Sequence, residues 1–142
     1  MANATLVRAG LWVLAVPTLG TGAWALLAPS SWYADYSGGI APPSAFGAYN
    51  EHFVQDLGGG YLAVGVLLVW AAVALRRDLV RAALAANLVF NVPHLVVHLM
   101  EDGDLDRTGY WFVNGLLGFV VVLSVWLWWS ASRLRSPDGT HR

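Results

Sequence analysis

Four long apolar segments constrain this chain more than any other feature. They run from about residue 9 to 28, 53 to 75, 79 to 100 and 109 to 131. Each is long enough to cross about 30 Å of hydrocarbon as a helix, which takes roughly 20 mostly apolar residues. Charged residues make up only 12% of the chain, about half the share in an average soluble domain. We therefore expect an all-α integral membrane protein.

The connections between the segments predict their arrangement. Only Arg76, Arg77 and Asp78 separate the second segment from the third, so these two must be antiparallel neighbours. A chain of 142 residues has room for one compact unit. We predict a single domain over residues 1–142, an up-down-up-down four-helix bundle with one substantial outer loop at 29–50. Ser44 is the predicted N-cap of the second helix.

The arginines predict the orientation. All eight basic residues are arginines, and seven of them fall on one side of the predicted topology, while Arg107 falls on the other. By the positive-inside rule, both termini are cytoplasmic and the protein is a multi-pass protein of the cell membrane. A cleaved signal peptide is the alternative for the first segment, but its single Arg8 and its long apolar stretch favour a span.

Composition also excludes several functions. The chain has no cysteine, which rules out disulfides, thiolate metal sites and thiol nucleophiles. Its net charge is −1 and it has no basic patch, so we expect no nucleic-acid partner. The use of arginine without any lysine indicates a GC-rich bacterial source, and hence a bacterial inner membrane.

Polar residues within the apolar segments mark a candidate site. Ionisable residues inside a span cost about 2.5–3.5 kcal/mol each and by default face the bundle interior. The third segment carries one polar stripe, whose members lie within about 60° of one another on a helix: Asn87, Asn91, His94 and His98. On the second segment, His52 and Asp56 are one helical turn apart. The short connection predicts that both groups lie at a similar depth in the outer half of the membrane.

This constellation predicts a transition-metal site. Side chains at i and i+4 reach one point, as metal ligands in helical bundles do, and imidazole with carboxylate suits Zn, Cu or Fe. The predicted ligands are His52, Asp56, His94 and His98, with Asp56 and His94 as catalytic residues if a lipophilic substrate is turned over. Their predicted hydrogen-bond partners are Glu51, Gln55, Asn87, Asn91 and Asn114.

Three other interpretations stay open. The polar groups can form a purely structural network between helices, in an accessory subunit of a larger membrane complex or a homo-oligomer. Asp56 and His94 can act as acid and base in a cofactor-free isomerase or cyclase. A b-type haem carrier needs two axial histidines, which His52 with His98, or His94 with a partner from another protomer, would supply. We do not expect a pore, because the polar stripe is confined mainly to the outer half and gives no continuous path to the cytoplasm.

The second segment also carries a glycine-rich stretch, Leu57-Gly58-Gly59-Gly60-Tyr61-Leu62-Ala63-Val64-Gly65. With the four spans and the short chain, this stretch resembles the DoxX-like group of small four-helix bacterial membrane proteins. The resemblance covers the whole apolar frame and implies the four-helix fold. It does not extend to the polar residues His52, Asp56, His94 and His98, so it implies no function.

Overall fold

A computed structural model of the chain describes residues 2–134, and within that range every regular element is a helix. The elements, in chain order, are α1 (Ala2–Leu27), a short α2 (Pro29–Asp35), α3 (Glu51–Ala74), α4 (Arg77–Met100) and α5 (Arg107–Ser130). Turns of 3-10 helix lie at Tyr36–Gly39, Pro43–Phe46 and Ala131–Arg133. The prediction of an all-α fold is confirmed.

The four long helices agree closely with the predicted segments. The bounds of α3, α4 and α5 lie within two residues of the prediction, but α1 begins at Ala2, seven residues before the predicted residue 9. Ala and Leu in this stretch are strong helix formers, so the helix continues beyond the apolar segment. All four helices are long and apolar enough to cross a membrane; 24 residues of α3 span about 36 Å.

The 29–50 connection is more ordered than the predicted loop, and the predicted N-cap was wrong. It contains α2 and two 3-10 turns, and Ser44 lies in the second of these turns. Asn50 caps α3 instead, because its side-chain oxygen accepts a hydrogen bond from the Phe53 amide at 3.1 Å. A capping side chain of this kind satisfies one of the free amides of the first helical turn.

Helix α3 ends where the backbone turns left-handed. Leu75, with φ of 47°, is the C-cap residue of α3, and Arg76 is the N-cap residue of α4, without a capping hydrogen bond from its side chain. Arg76 also donates to the carboxylate of Asp78 at 2.6 Å, and this hydrogen bond raises the pKa of Arg76. The two-residue connection therefore holds α3 and α4 side by side.

Helices α1 and α3 make the closest contact in the bundle. A Cβ on Gly58 would lie 2.7 Å from the Leu26 amide nitrogen, and a Cβ on Gly22 would lie 2.9 Å from the Gly58 carbonyl oxygen. Only glycine permits backbones to approach so closely, which is the role of small residues between helices in membranes. Near the other end of this pair, Arg8 Nε donates to the Ala72 carbonyl at 3.2 Å.

The long helices have two ends with different packing. We call the end near Arg8 and the Leu75–Arg76 connection the terminal end, and the end that carries the 28–50 and 101–106 connections the loop end. The terminal end contains a continuous apolar core from all four long helices. Its buried members are Val7, Leu11, Leu14, Ala15, Leu68, Ala71, Ala72, Val80, Ala83, Leu84, Leu127 and Ala131.

The loop end has a much smaller buried cluster, made by Ala25, Trp32 and Val54. The connections themselves cover this end. The Asp104 amide donates to the Ala45 carbonyl at 2.9 Å, and the Tyr33 hydroxyl donates to the Gly47 carbonyl. The first hydrogen bond joins the 101–106 turn to the 29–50 connection, and the second holds the 29–50 connection together, so the two connections form a cover over the ends of the helices.

Candidate functional site

The polar stripe of α4 begins with a buried hydrogen-bond network. Asn87 and Asn91 are both buried. The side-chain amide of Asn87 donates to Ser124 Oγ on α5 at 2.9 Å, and that of Asn91 donates back to the Asn87 carbonyl at 2.8 Å. The Asn91 amide also contacts Asn87 Oδ1 at 3.1 Å, and the network joins α4 to α5 through Ser124.

The two histidines of the stripe contact each other directly. The Nε2 atoms of His94 and His98 are 3.0 Å apart, and the rings stack with centroids 4.8 Å apart. Aromatic rings flank the pair: Phe90 beside His94, with centroids 5.8 Å apart, and Phe46 edge-on to His98 at 4.6 Å. Both histidines are half-buried. The result is a histidine pair in a largely apolar setting near the loop end of α4.

The contact between the two Nε2 atoms couples the tautomers of the pair. A hydrogen bond at this distance requires that one Nε2 carries the proton and the other accepts it. If His98 donates, its Nδ1 is an acceptor in the neutral ring; if His94 donates, Nδ1 of neutral His98 carries the proton. Conversion between the two arrangements exchanges donor and acceptor at Nδ1 of His98, and it requires His98 Nδ1 to gain a proton and His94 Nδ1 to lose one as the shared proton passes from His98 to His94.

Asn114 on α5 lies beside the histidine pair. Its side-chain amide donates to the Tyr110 carbonyl at 2.9 Å and makes a longer contact of 3.4 Å with the His98 carbonyl. Asn114 thus contacts the backbone of the pair and not its rings. Its side-chain oxygen is buried and has no hydrogen-bond partner among residues 2–134.

The residues predicted on α3 lie apart from this pair. His52 Nε2 and Asp56 Oδ2 are 3.4 Å apart, but the two side chains are 87% and 69% exposed. Glu51 is also exposed, and Gln55 is half-buried. The face of α3 that packs inward includes Val54 and Gly58, and Asp56, two residues from each, is about 200° around the helix from both.

The structure therefore brings the predicted ligands together in two separate pairs, not in one cluster. Across the described part of the chain, no group of three or more His, Cys, Asp or Glu side chains is placed to hold a metal ion. The predicted convergence needed the polar face of α3 to turn toward α4. Close packing of Gly58 against α1 orients α3 differently.

A pocket of about 320 Å³ lies between the loop-end connections and the ends of α3, α4 and α5. Its volume is at the lower end of the range for small-molecule sites. Most of its wall is apolar, and its polar side chains include His98, Glu101, Asn50 and Tyr33. The apolar part includes Trp32, Phe46, Phe53, Leu57, Val97 and Val113.

Two rings of the pocket wall carry nitrogens that are buried and lack a hydrogen-bond partner. They are Nε1 of Trp32 and Nδ1 of His98, counted over residues 2–134. Such atoms are rare in native proteins, because each costs about 1–3 kcal/mol if it stays unpaired. Their occurrence together in one pocket wall makes this pocket the best candidate for a binding site.

The charge of the pocket wall limits what it can bind. Glu101 is an acid in the lining, and no arginine belongs to it. A phosphate or carboxylate would find no cation there and would meet the Glu101 carboxylate, whose like charge is repulsive. The pocket therefore favours a neutral molecule.

Sequence reasoning missed Trp32 and Phe46 as site residues. Trp32 is an aromatic residue near a predicted membrane boundary, where such residues commonly lie at headgroup level. In the structure it is only 5% exposed. Its one signal in the sequence is its position just after Pro29, which begins the short helix that buries it.

Comparisons with protein-family models, curated proteins and solved structures found no match to this chain. The resemblance to the DoxX-like group stays a prediction, and any functional interpretation depends on the side chains described above.

Proposed function

We propose that this chain is a multi-pass membrane protein that binds a small, neutral, lipophilic molecule in the loop-end pocket, beside the His94–His98 pair. The observation that carries the proposal is the pocket itself: about 320 Å³, mostly apolar walls, and one histidine in the lining. Small-molecule sites combine apolar walls with a few polar groups in this way.

The proposal includes the membrane setting. The four long helices cross the bilayer in the up-down-up-down arrangement, and the short α3–α4 connection supports it. Arg8, Arg76, Arg77 and Arg81 belong to the terminal end, so that end is cytoplasmic under the positive-inside rule. Arg135 and Arg142, which also support this orientation, lie outside the described residues. The pocket then opens in the outer half of the membrane, where a lipophilic molecule is concentrated.

The histidine pair is the part of the site able to do chemistry. His98 can accept a proton at Nδ1 and pass its Nε2 proton to His94, which then carries the positive charge, and the reverse transfer from protonated His94 lets His98 donate at Nδ1. General acid–base catalysis requires a group of this type within hydrogen-bond reach of the reacting atom. Asp56, predicted to be the catalytic partner of His94, pairs instead with His52, so the proposed acid–base pair is His94 with His98.

Binding of a plain apolar probe tests the proposal. We would measure the affinity of radiolabelled 2-isopropenylnaphthalene for the protein in lipid nanodiscs by equilibrium dialysis, with empty nanodiscs as the blank. Val113→Phe puts a larger side chain into the pocket wall and is expected to weaken binding at least about ten-fold. Val122→Phe is the matched control, because Val122 is on the same helix but 68% exposed, and it should leave the affinity unchanged.

Binding that exceeds the blank and is lost in Val113→Phe alone would support the pocket as the site. Equal binding to the wild-type protein and both variants would place the probe in lipid or on another surface, and the proposal would be rejected.

The second candidate function is binding of a transition metal by His94 and His98. It is supported by the 3.0 Å separation of their Nε2 atoms, because two nitrogens at about 2.0–2.1 Å from one metal are about this far apart. These two ligands fill only half of a tetrahedral set, so water or a pocket molecule would complete it.

Elemental analysis and an absorption spectrum test this candidate. The samples are wild-type protein purified without chelator and the His94→Ala, His98→Ala double variant. About one Zn, Cu or Fe per chain that is lost in the double variant would support the metal site, and a Soret band lost with it would indicate haem. Metal-free, colourless wild-type protein would eliminate both.

A further inference from the structure

We infer that the molecule bound in the loop-end pocket carries an oxygen that accepts a hydrogen bond from the indole N–H of Trp32. The inference rests on the proposed function and narrows its ligand to neutral, mainly apolar compounds with a ketone, ester, ether or alcohol oxygen. Trp32 is then the residue that selects such compounds over hydrocarbons of the same shape.

Trp32 is buried where the short helix α2 packs against the long helices. Short helix α2 begins with Pro29, whose ring suits the first turn of a helix, and ends at Asp35. Trp32 is its buried residue. The ring packs in the loop-end cluster with Ala25 and Val54, and its centroid is 5.6 Å from that of Tyr36. This packing also covers the indole nitrogen, so a pocket molecule reaches it only after the side chains around the ring have shifted.

The indole N–H of Trp32 lacks an acceptor among the described residues. An indole N–H is a donor only, and a buried tryptophan usually finds an acceptor. Trp32 Nε1 has none among the described residues, although the ring belongs to the pocket wall. An oxygen on a pocket molecule would supply the missing acceptor, and a hydrocarbon would leave the N–H unpaired.

The other orphaned nitrogen of the wall fits the same class of molecule. His98 Nδ1 is buried and unpaired, and either tautomer of the His94–His98 pair leaves it able to form one hydrogen bond. When Nδ1 carries the proton, it can donate to a carbonyl or ether oxygen. A hydroxyl can bond to Nδ1 in either tautomer, as acceptor or as donor. The pocket wall contains Glu101 and no arginine, so we do not expect the bound oxygen to be anionic.

A pair of probes with the same shape tests the inference. 2-Acetylnaphthalene and 2-isopropenylnaphthalene differ only in that C=O replaces C=CH2. We expect wild-type protein to prefer the ketone by roughly two- to ten-fold, the range expected for one neutral hydrogen bond. The preference is calculated after subtraction of binding to empty nanodiscs, so that different partitioning of the two probes into lipid does not enter.

Trp32→Phe removes the N–H and is expected to reduce the preference to about one-fold while the hydrocarbon still binds. Because the smaller ring can disturb packing, the second variant replaces Trp32 with β-(3-benzothienyl)alanine, which has sulfur in place of N–H and nearly the same shape. It should fold like the wild type and also lose the preference. A control at an exposed tryptophan, Trp70→Phe, should retain the preference, since Trp70 is 61% exposed on α3.

The source of the oxygen is tested by the lipid of the nanodisc. In diether phospholipid, the bilayer offers no ester carbonyl, whereas diester phospholipid does. A ketone preference that is equal in both lipids identifies a free small molecule as the ligand class. A preference seen in diether lipid but suppressed in diester lipid identifies a lipid ester as the natural acceptor.

The outcomes separate this inference from the proposed function. If both probes bind to the pocket with equal affinity, or if the ketone preference survives in both Trp32 variants, the inference is overturned while the pocket stands. If neither probe binds above the blank, both the proposed function and the inference are rejected.

Discussion

The terminal end and the loop end of this bundle are built on different principles. At the terminal end, the buried cluster is apolar throughout and draws on all four long helices. At the loop end, the buried cluster has only Ala25, Trp32 and Val54, and a pocket opens beside it. Of the four buried side-chain nitrogen and oxygen atoms without partners in the described chain, only Arg81 Nε belongs to the terminal end. The other three belong to Trp32, His98 and Asn114.

This difference indicates a division between stability and function. A close-packed apolar end keeps the helices together, and the opposite end is then free to hold polar groups and empty volume that lower stability. Binding sites commonly carry such locally unfavourable features, compensated elsewhere in the fold. The comparison predicts that equivalent changes at the two ends have unequal effects.

The largest expected effect is truncation of a leucine in the terminal-end core. Leu84 is fully buried, and Leu84→Ala should lower the free energy of unfolding by about 2–5 kcal/mol, since it leaves a cavity in close packing. Val113→Ala at the pocket wall should cost much less, because it enlarges an existing space. Equilibrium unfolding in mixed micelles measures both, and equal losses at the two ends would contradict the comparison.

The next effect concerns the glycine contact between α1 and α3. Gly58→Ala places a methyl group 2.7 Å from the Leu26 amide nitrogen, so the helices must separate, at a cost of about 1–3 kcal/mol. Gly59→Ala is the matched control, because a Cβ there meets nothing within 4 Å, and alanine favours helix over glycine by about 1 kcal/mol. The same unfolding assay applies.

The two glycine variants also test whether the rotation of α3 affects the pocket. If Gly58 sets the rotation of α3, Gly58→Ala should alter probe binding in the pocket as well as stability, since Leu57 lines the pocket. A Gly58→Ala protein that is as stable as Gly59→Ala would show that the close approach is not needed to orient α3.

The smallest expected effect is at the exposed pair on α3. Asp56→Asn removes the charge that faces His52, but exposed ion pairs contribute only about 0–1 kcal/mol. We therefore expect little change in unfolding free energy and no change in the affinity of 2-isopropenylnaphthalene. A large loss of probe binding in Asp56→Asn would return this residue to the site and contradict the separation of the two polar pairs.

The sequence by itself determined the helices and much of the polar stripe. Length and hydropathy predict where each long helix lies, because a run of about 20 apolar residues has few alternatives to a spanning helix. Helical periodicity likewise placed Asn87, Asn91, His94 and His98 on one face of α4. In the structure Asn87 and Asn91 are buried, and His94 contacts His98. These features depend on residues close to one another in the chain.

Only the tertiary structure decided which polar groups meet. Periodicity places His52 and Asp56 on one face of α3 but does not say toward which neighbour that face turns. The contact of Gly58 with Gly22 and Leu26 requires two helices to be in place at once, and it leaves the His52–Asp56 face exposed. The pocket likewise depends on hydrogen bonds between distant turns, such as that from the Asp104 amide to the Ala45 carbonyl. Contacts between residues far apart in the chain cannot be predicted from a local sequence pattern. For that reason only the structure identifies Trp32 as a residue of the site.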